Sequence, residues 1–209
     1  MMTTRFHMML AGLALAFITA LPGLALAKGP GSDTPAAAFV QGLGDKALTS
    51  LTAKDLPAAE RAERVRTLLR TNFDVPTIAR FVLGRGWNTA TDAQRKEYMK
   101  LFEDMIVKTY TKRFADYSGQ AFKVLGSKSL SDTDSLVSSQ ILQNDGPAVQ
   151  VDWRVRGKGG QLKVVDVVVE QISMSVTQRS DFESIMGGSG DVETLLKSLR
   201  TRAAGTPKK

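Results

Sequence analysis

The chain has 209 residues, with 28 Lys and Arg against 21 Asp and Glu for a formal charge of +7, no cysteine, and one histidine, His7. The missing thiols exclude disulfides, and with a lone His the chain lacks the side chains most used for transition-metal binding and for Ser/His/Asp or Cys/His catalysis. No GxGxxG, Walker loop, HExxH, EF-hand or CxxC is present, so nucleotide, zinc and calcium sites have no support, and no Lys/Arg run marks a nucleic-acid stripe.

At the start, Arg5 and His7 precede an uncharged apolar run from Met8 to Leu26, and Ala25-Leu26-Ala27 is a small-x-small cleavage pattern. This order predicts a signal peptide over residues 1–27, cut after Ala27; an uncleaved membrane anchor is the alternative. A lipid-anchored product would need a Cys at the processing site, so a soluble periplasmic protein is expected. The leader's one charged residue is Arg5, which leaves the processed chain at +6. That charge suits transient contact with an anionic membrane surface and is also an ordinary solubility device. What remains is enough for one domain, expected over residues 28–202, with a solvated tail over 203–209.

Thr34-Pro35 reads as a helix cap with a first-turn proline, followed by Phe39, Val40, Leu43, Ala47, Leu48 and Leu51 at helical spacing; Gly42 and Gly44 weaken that helix. A second helix is expected from about Pro57 to Asn72, with Ala62, Val65, Leu68, Leu69 and Phe73 inward and the charges from Glu60 to Arg70 on a solvated face. After an unassigned stretch from Ile78 to Trp87, Thr91 and Gln94 form a capping box that opens the longest helix, and Gly119 is expected to close it. Its apolar stripe is unusually aromatic: Tyr98, Phe102, Met105, Ile106, Tyr110, Phe114 and Tyr117.

From Ala121 the period changes to two. Phe122 and Val124, then Leu136, Ser138 and Gln140, suggest two strands, and Asn144-Asp145-Gly146-Pro147 is a turn before a third. Val149, Val151, Trp153 and Val155 face Val165, Val167 and Val169 across Gly157-Lys158-Gly159-Gly160. For these sets to share a face the loop must be odd, so a three- or five-residue loop with a glycine bulge is expected. The opposite face then gathers Asp152, Arg154, Asp166 and Glu170, where ion pairing of the carboxylates with Arg154 and Arg156 is expected over acid/base catalysis. Two short helices, Ser180 to Met186 and Asp191 to Arg200, end the domain.

The fold class is therefore α+β: an N-terminal helical layer packed on a curved antiparallel β-sheet, with short C-terminal helices, enclosing an apolar cleft. Three functions fit the residues: a carrier of an apolar ligand; a cone-like α+β enzyme acting on a hydrophobic small molecule with Asp166 and Glu170 as its polar pair; and a scaffold that binds only other proteins. In the carrier reading the cleft is lined from the helices by Phe81, Phe102, Ile106, Tyr110 and Phe114, and from the sheet by Val151, Trp153, Val165, Val167 and Val169. No catalytic residue, cofactor, metal or nucleic acid is called for. Partner contacts are expected near the cleft mouth at Arg80, Arg85 and Lys108.

The segments from Thr109 to Gly119, Val151-Asp152-Trp153-Arg154-Val155, Lys163 to Glu170, Ile172-Ser173-Met174 and Arg179-Ser180-Asp181-Phe182, in that order behind a signal peptide, resemble the MlaC (toluene-tolerance auxiliary) family. The resemblance spans roughly residues 35 to 200, with a hopanoid-associated branch as a close alternative. It implies a periplasmic phospholipid carrier that moves lipid between an outer-membrane lipoprotein complex and an inner-membrane ABC transporter and so serves outer-membrane lipid asymmetry. The acyl chains would lie between helices and sheet, with the headgroup outside. The chain departs from the family pattern at Gln171, where Gly is common in an E-G-[IV]-S motif, at Gln178, where an aromatic often precedes the Arg, and at Leu162, where Trp is frequent.

Overall fold

Pro35 opens the first helix, α1 (Pro35–Leu51), and the Thr34 hydroxyl accepts the Ala37 N–H at 3.1 Å, so the expected cap is formed. The computed structural model describes residues 34–187 and 190–204; the expected leader, its cleavage after Ala27 and the last residues of the tail lie outside the described residues. Gly44, read above as a weak point, has a packing use: a Cβ there would overlap the ring of Phe122, so the glycine lets α1 settle against the sheet.

In α2 (Ala58–Asn72) the charged face is not simply solvated. Arg61 is buried, and its Nε and Nη2 donate to the carbonyls of Leu51 and Ala53 at 2.8 and 2.7 Å, satisfying acceptors at the C-terminal end of α1. The Ile78–Trp87 stretch resolves into most of α3 (Val75–Leu83) and the first half of α4 (Gly86–Thr89), parted at Gly84 with φ 57°. Asp74 caps α3 by accepting from Thr77 N–H at 3.2 Å.

The capping box of α5 (Asp92–Ala115) forms as read, with Gln94 N–H donating to Thr91 Oγ1 at 3.2 Å and Thr91 N–H to Gln94 Oε1 at 3.0 Å. The helix stops at Ala115, short of Gly119. Local bonds compete with further helix: Tyr117 O–H donates to Gln120 O at 2.7 Å, and Asn144 Nδ2 donates to Ser118 O at 2.7 Å. Tyr117 therefore leaves the stripe. Behind it, Tyr98, Phe102 and Phe182 pack with centroids 5.7 to 6.4 Å apart and anchor a core shared with α6 (Met174–Met186) and α7 (Val192–Ala203). Burial pushes the Tyr98 phenol far above its ordinary pKa, and its O–H donates to Ala79 O at 2.9 Å.

The sheet is an antiparallel meander, β1 (Ala121–Ser129), β2 (Asp134–Leu142), β3 (Val149–Lys158), β4 (Gln161–Val169) and β5 (Ile172–Ser173), paired in chain order. Trp153 pairs with Val167 and Val151 with Val169, as expected. The odd residue that this register requires is not in the loop. Gly159 and Gly160, at φ 59° and 79°, make a two-residue turn, and the extra residue is Val165, bulged between the Arg154–Asp166 and Val155–Val164 pairs. Val164, not Val165, consequently faces Val155 and is fully buried. A second irregularity lies between Val124 and Gly126, and such bulges bend the strands around α1, which closes over Val137 and Val155. The α+β class is as expected. Among the described residues no helix is long and apolar enough to cross a membrane.

Candidate functional site

The sheet members of the expected lining are brought together. Val151, Trp153, Val167 and Val169 form two adjacent cross-strand pairs on the face that packs against α1. Val151 is buried, Trp153, Val165, Val167 and Val169 are half-buried, and Trp153 meets Phe122 edge-on at 6.1 Å. The indole has a polar anchor: Nε1–H donates to Ser139 Oγ at 2.9 Å, and that hydroxyl donates to Val151 O at 2.8 Å. The sheet thus offers a rigid apolar strip whose polar atoms are already satisfied.

The helix members spread out. Phe102 is enclosed with Tyr98 and Phe182, and Ile106 and Phe114 lean half-buried on the same cluster. Tyr110 is exposed beneath Arg113, 5.6 Å from its ring centroid. Phe81 stands apart on α3, exposed, with the Arg179 guanidinium 5.3 Å from its centroid. The stripe on α5 therefore runs from sealed core at Phe102 to open surface at Tyr110.

The carboxylates of the opposite sheet face take structural partners other than those expected. Asp166 accepts from Val167 N–H at 2.9 Å, Ser173 O–H at 2.7 Å and Ser175 N–H at 3.2 Å, which ties β4 to the first turn of α6. Glu170 accepts from Gln150 N–H at 2.5 Å, and Asp152 from Gln150 Nε2 at 3.0 Å. Arg156 instead forms a two-pronged pair with Asp134, both bonds 2.8 Å, which holds the Asp134 carboxyl below its usual range; Arg154 is exposed. The Ser173 hydroxyl and the Ser175 N–H in the first turn of α6 take the place expected for Arg154 at Asp166. The acid pair of the enzyme reading is not assembled, since Asp166 and Glu170 hold different backbone segments.

Cations collect elsewhere. A hollow of about 510 Å³ is lined by Arg80, Phe81, Arg85, Trp87 and Arg179 among others, so two of the expected partner residues, Arg80 and Arg85, share one wall. Lys108 does not join them; its Nζ donates to Arg202 O at 2.8 Å, at the end of α7. A smaller hollow of about 320 Å³ includes Arg70, Phe73, Arg156 and Lys163. Sequence periodicity gave no warning of either hollow, because charges between apolar positions read as solvated face whatever they surround.

A model of the MlaC protein family matches residues 41–201 of this chain. A protein of Haemophilus influenzae named intermembrane phospholipid transport system binding protein MlaC is 23% identical over 181 residues, spanning 83% of this chain and 84% of its own. Among solved structures, a phospholipid-binding protein from Ralstonia solanacearum, in complex with a phospholipid, superposes with a TM-score of 0.71 at 25% identity, covering 82% of this chain and 98% of that one.

Proposed function

The chain belongs to the MlaC family, and from that premise we propose that it is a carrier that shields phospholipid acyl chains during transport between two membranes. The observation that carries this reading is the superposition over nearly the whole length of a protein solved with phospholipid bound. The physical need is plain. At about 0.8 kcal/mol per methylene, a lipid with some thirty methylenes faces on the order of 20 kcal/mol against crossing water unprotected.

In this reading the acyl chains lie against the Trp153–Val167 and Val151–Val169 strip, with Val165 beside it and Ile106, Tyr110 and Phe114 on the helical side; Phe102 closes the inner end and Phe81 the outer. The half-burial of most of these side chains supports it, since such surfaces can part without breaking the sealed helical core. Residues 28–202 act as the carrier domain, released into the periplasm by cleavage after Ala27. Donor and acceptor are an outer-membrane lipoprotein complex and an inner-membrane ABC transporter, with the headgroup left outside the cleft for hand-over.

Solvent extraction of the purified, exported protein followed by mass spectrometry tests the proposal. A stoichiometric phospholipid, rather than a polycyclic hopanoid, is the expected outcome. An empty protein that also fails to move labelled phospholipid between vesicles overturns it.

A further inference from the structure

Three guanidinium groups line the hollow between α3, α4 and α6, those of Arg80, Arg85 and Arg179, and its lining contains no carboxylate. Like charges gathered this way repel one another, so their placement asks for a reason. Two of the three are held in place. Gly84, at φ 57°, has no Cβ, and one would stand 3.1 Å from Arg179 Cζ; the Phe81 ring flanks the same guanidinium, and Arg179 Nε donates to Glu183 Oε1 at 3.0 Å. That leaves Nη1 and Nη2 of Arg179 with no hydrogen-bond partner among the described residues. Arg80 lies 5.8 Å from the Trp87 centroid, and Arg95 lies 5.5 Å from it. Neither Arg80 nor Arg85 has an ion pair among the described residues.

Planar cations around a hollow, two of the three held in place, with spare donors and no carboxylate in the lining, match a tetrahedral oxyanion better than a single carboxylate, because several forks can each take a different oxygen. We propose that this hollow is a binding site for a phosphate ester. Its aromatic floor favours the phosphate of a phospholipid headgroup over the free ion, because Phe81 is 43% exposed beside the arginines and offers apolar contact to the glycerol. The headgroup assignment rests on the carrier reading above. The phosphate chemistry of the site does not.

Calorimetric titration of the exported protein, freed of bound lipid, with inorganic phosphate and with sn-glycerol 3-phosphate, at ionic strength held constant by chloride, tests it. Saturable binding of the ester is expected, weakened about tenfold by Arg80→Gln together with Arg85→Gln at an unchanged circular-dichroism spectrum. Tighter binding of the ester than of inorganic phosphate sustains the site and assigns the headgroup; equal binding sustains the site and assigns the free ion. No saturable heat with either anion, or heats unchanged in the double variant, overturns the proposal. Saturation by a glutamate-rich peptide without a response to phosphate also overturns it, in favour of an acidic protein partner. Lipid extraction from the same preparation keeps the two proposals apart. A protein that purifies without lipid and fails to move phospholipid between vesicles yet binds the ester defeats the carrier reading alone, and a delipidated one that still moves phospholipid yet is indifferent to both anions defeats the phosphate site alone.

Discussion

The two apolar clusters of this molecule are closed to different degrees. In the helical one, Tyr98, Phe102, Phe182, Leu195 and Leu196 are all at most 2% exposed, and helices from α1 to α7 contribute. In the sheet cluster the sealed members are Ala36, Ala37, Val40, Val137 and Val155, while Phe39, Phe122, Trp153 and Leu162 around them are only half-buried. The helical cluster centres on fully enclosed rings, whereas the sheet face leaves its large side chains partly open. A carrier needs both, a frame that survives each loading cycle and a face that can exchange protein contacts for lipid ones.

Removing a large side chain from the closed cluster should have the largest effect on stability. Phe182→Ala is expected to cost about 3–5 kcal/mol, read as a fall in the midpoint of chemical denaturation. A cost below about 1 kcal/mol would mean that the helical core is as open as the sheet face. The matching change on the other side is Val167→Arg. It should abolish lipid co-purification while leaving the far-ultraviolet circular dichroism intact, because the half-buried position lets the new charge reach water by its flexible stem. Full lipid occupancy in a folded Val167→Arg protein would move the site off the sheet.

The seat of α1 on the sheet gives a finer test. An alanine at Gly44 would raise helix propensity by about 1 kcal/mol. Its Cβ would also overlap the Phe122 ring, which is packed against Trp153. Overpacking of this kind costs about 1–3 kcal/mol, so a modest net loss in thermal stability is expected. A gain would show that Phe122 swings aside freely, making the α1 seat looser than its geometry suggests.

Electrostatics marks the same division on a smaller scale. Glu103 on α5 accepts from Arg66 at 2.6 Å and from Arg70 at 2.8 Å. Burial pushes its carboxyl up, but the bonds from Arg70 and Arg66 outweigh that and hold it below the usual range. A carboxylate depressed in the native state stabilises the fold above its unfolded pKa, and the contribution is lost as pH falls from there through the lower native value. Glu103→Gln should thus cost about 1 kcal/mol or less at neutral pH and flatten the acid limb of the stability curve. An acid limb identical to that of the unaltered protein would remove this pair from the account.

What could be read from the sequence follows the range of the force involved. The caps at Thr34 and Thr91 were legible because a hydroxyl meets an N–H three residues on, inside the local window. Arg61 was not, since periodicity marks it as solvated while its partners are the carbonyls of a different segment. The strand pairing of β3 with β4 was right at Trp153–Val167, and the misplacement of Val165 arose because parity can be restored within a strand as well as in a loop. For the proposed lipid site, core and lining require the same apolar side chains, so composition alone could not separate the sealed Phe102 from the half-buried Val167. That difference is one of burial, and the proposed ligand rests on family membership.

The smallest expected effect tests the hinge between the two regions. The turn from β4 to β5 carries Glu170 and Gln171 at φ 47° and 67°, the positive-φ residues other than glycine among those described, and it leads directly into α6. The left-handed conformation costs an ordinary side chain about 1 kcal/mol that glycine does not incur. The family motif commonly has glycine at the position of Gln171, so the turn geometry supplies the physical reason for that preference. Against it stands the larger entropy that glycine loses on folding. Gln171→Gly is therefore expected to raise stability by about 0.5 kcal/mol at most, measured by denaturant titration. Because Glu170 stays bonded to Gln150 on the neighbouring β3, the substitution relieves strain without loosening the strand ends. A loss of stability instead would mean that the Gln171 side chain supports the hairpin, and that the join between sheet and helices depends on contacts beyond the backbone.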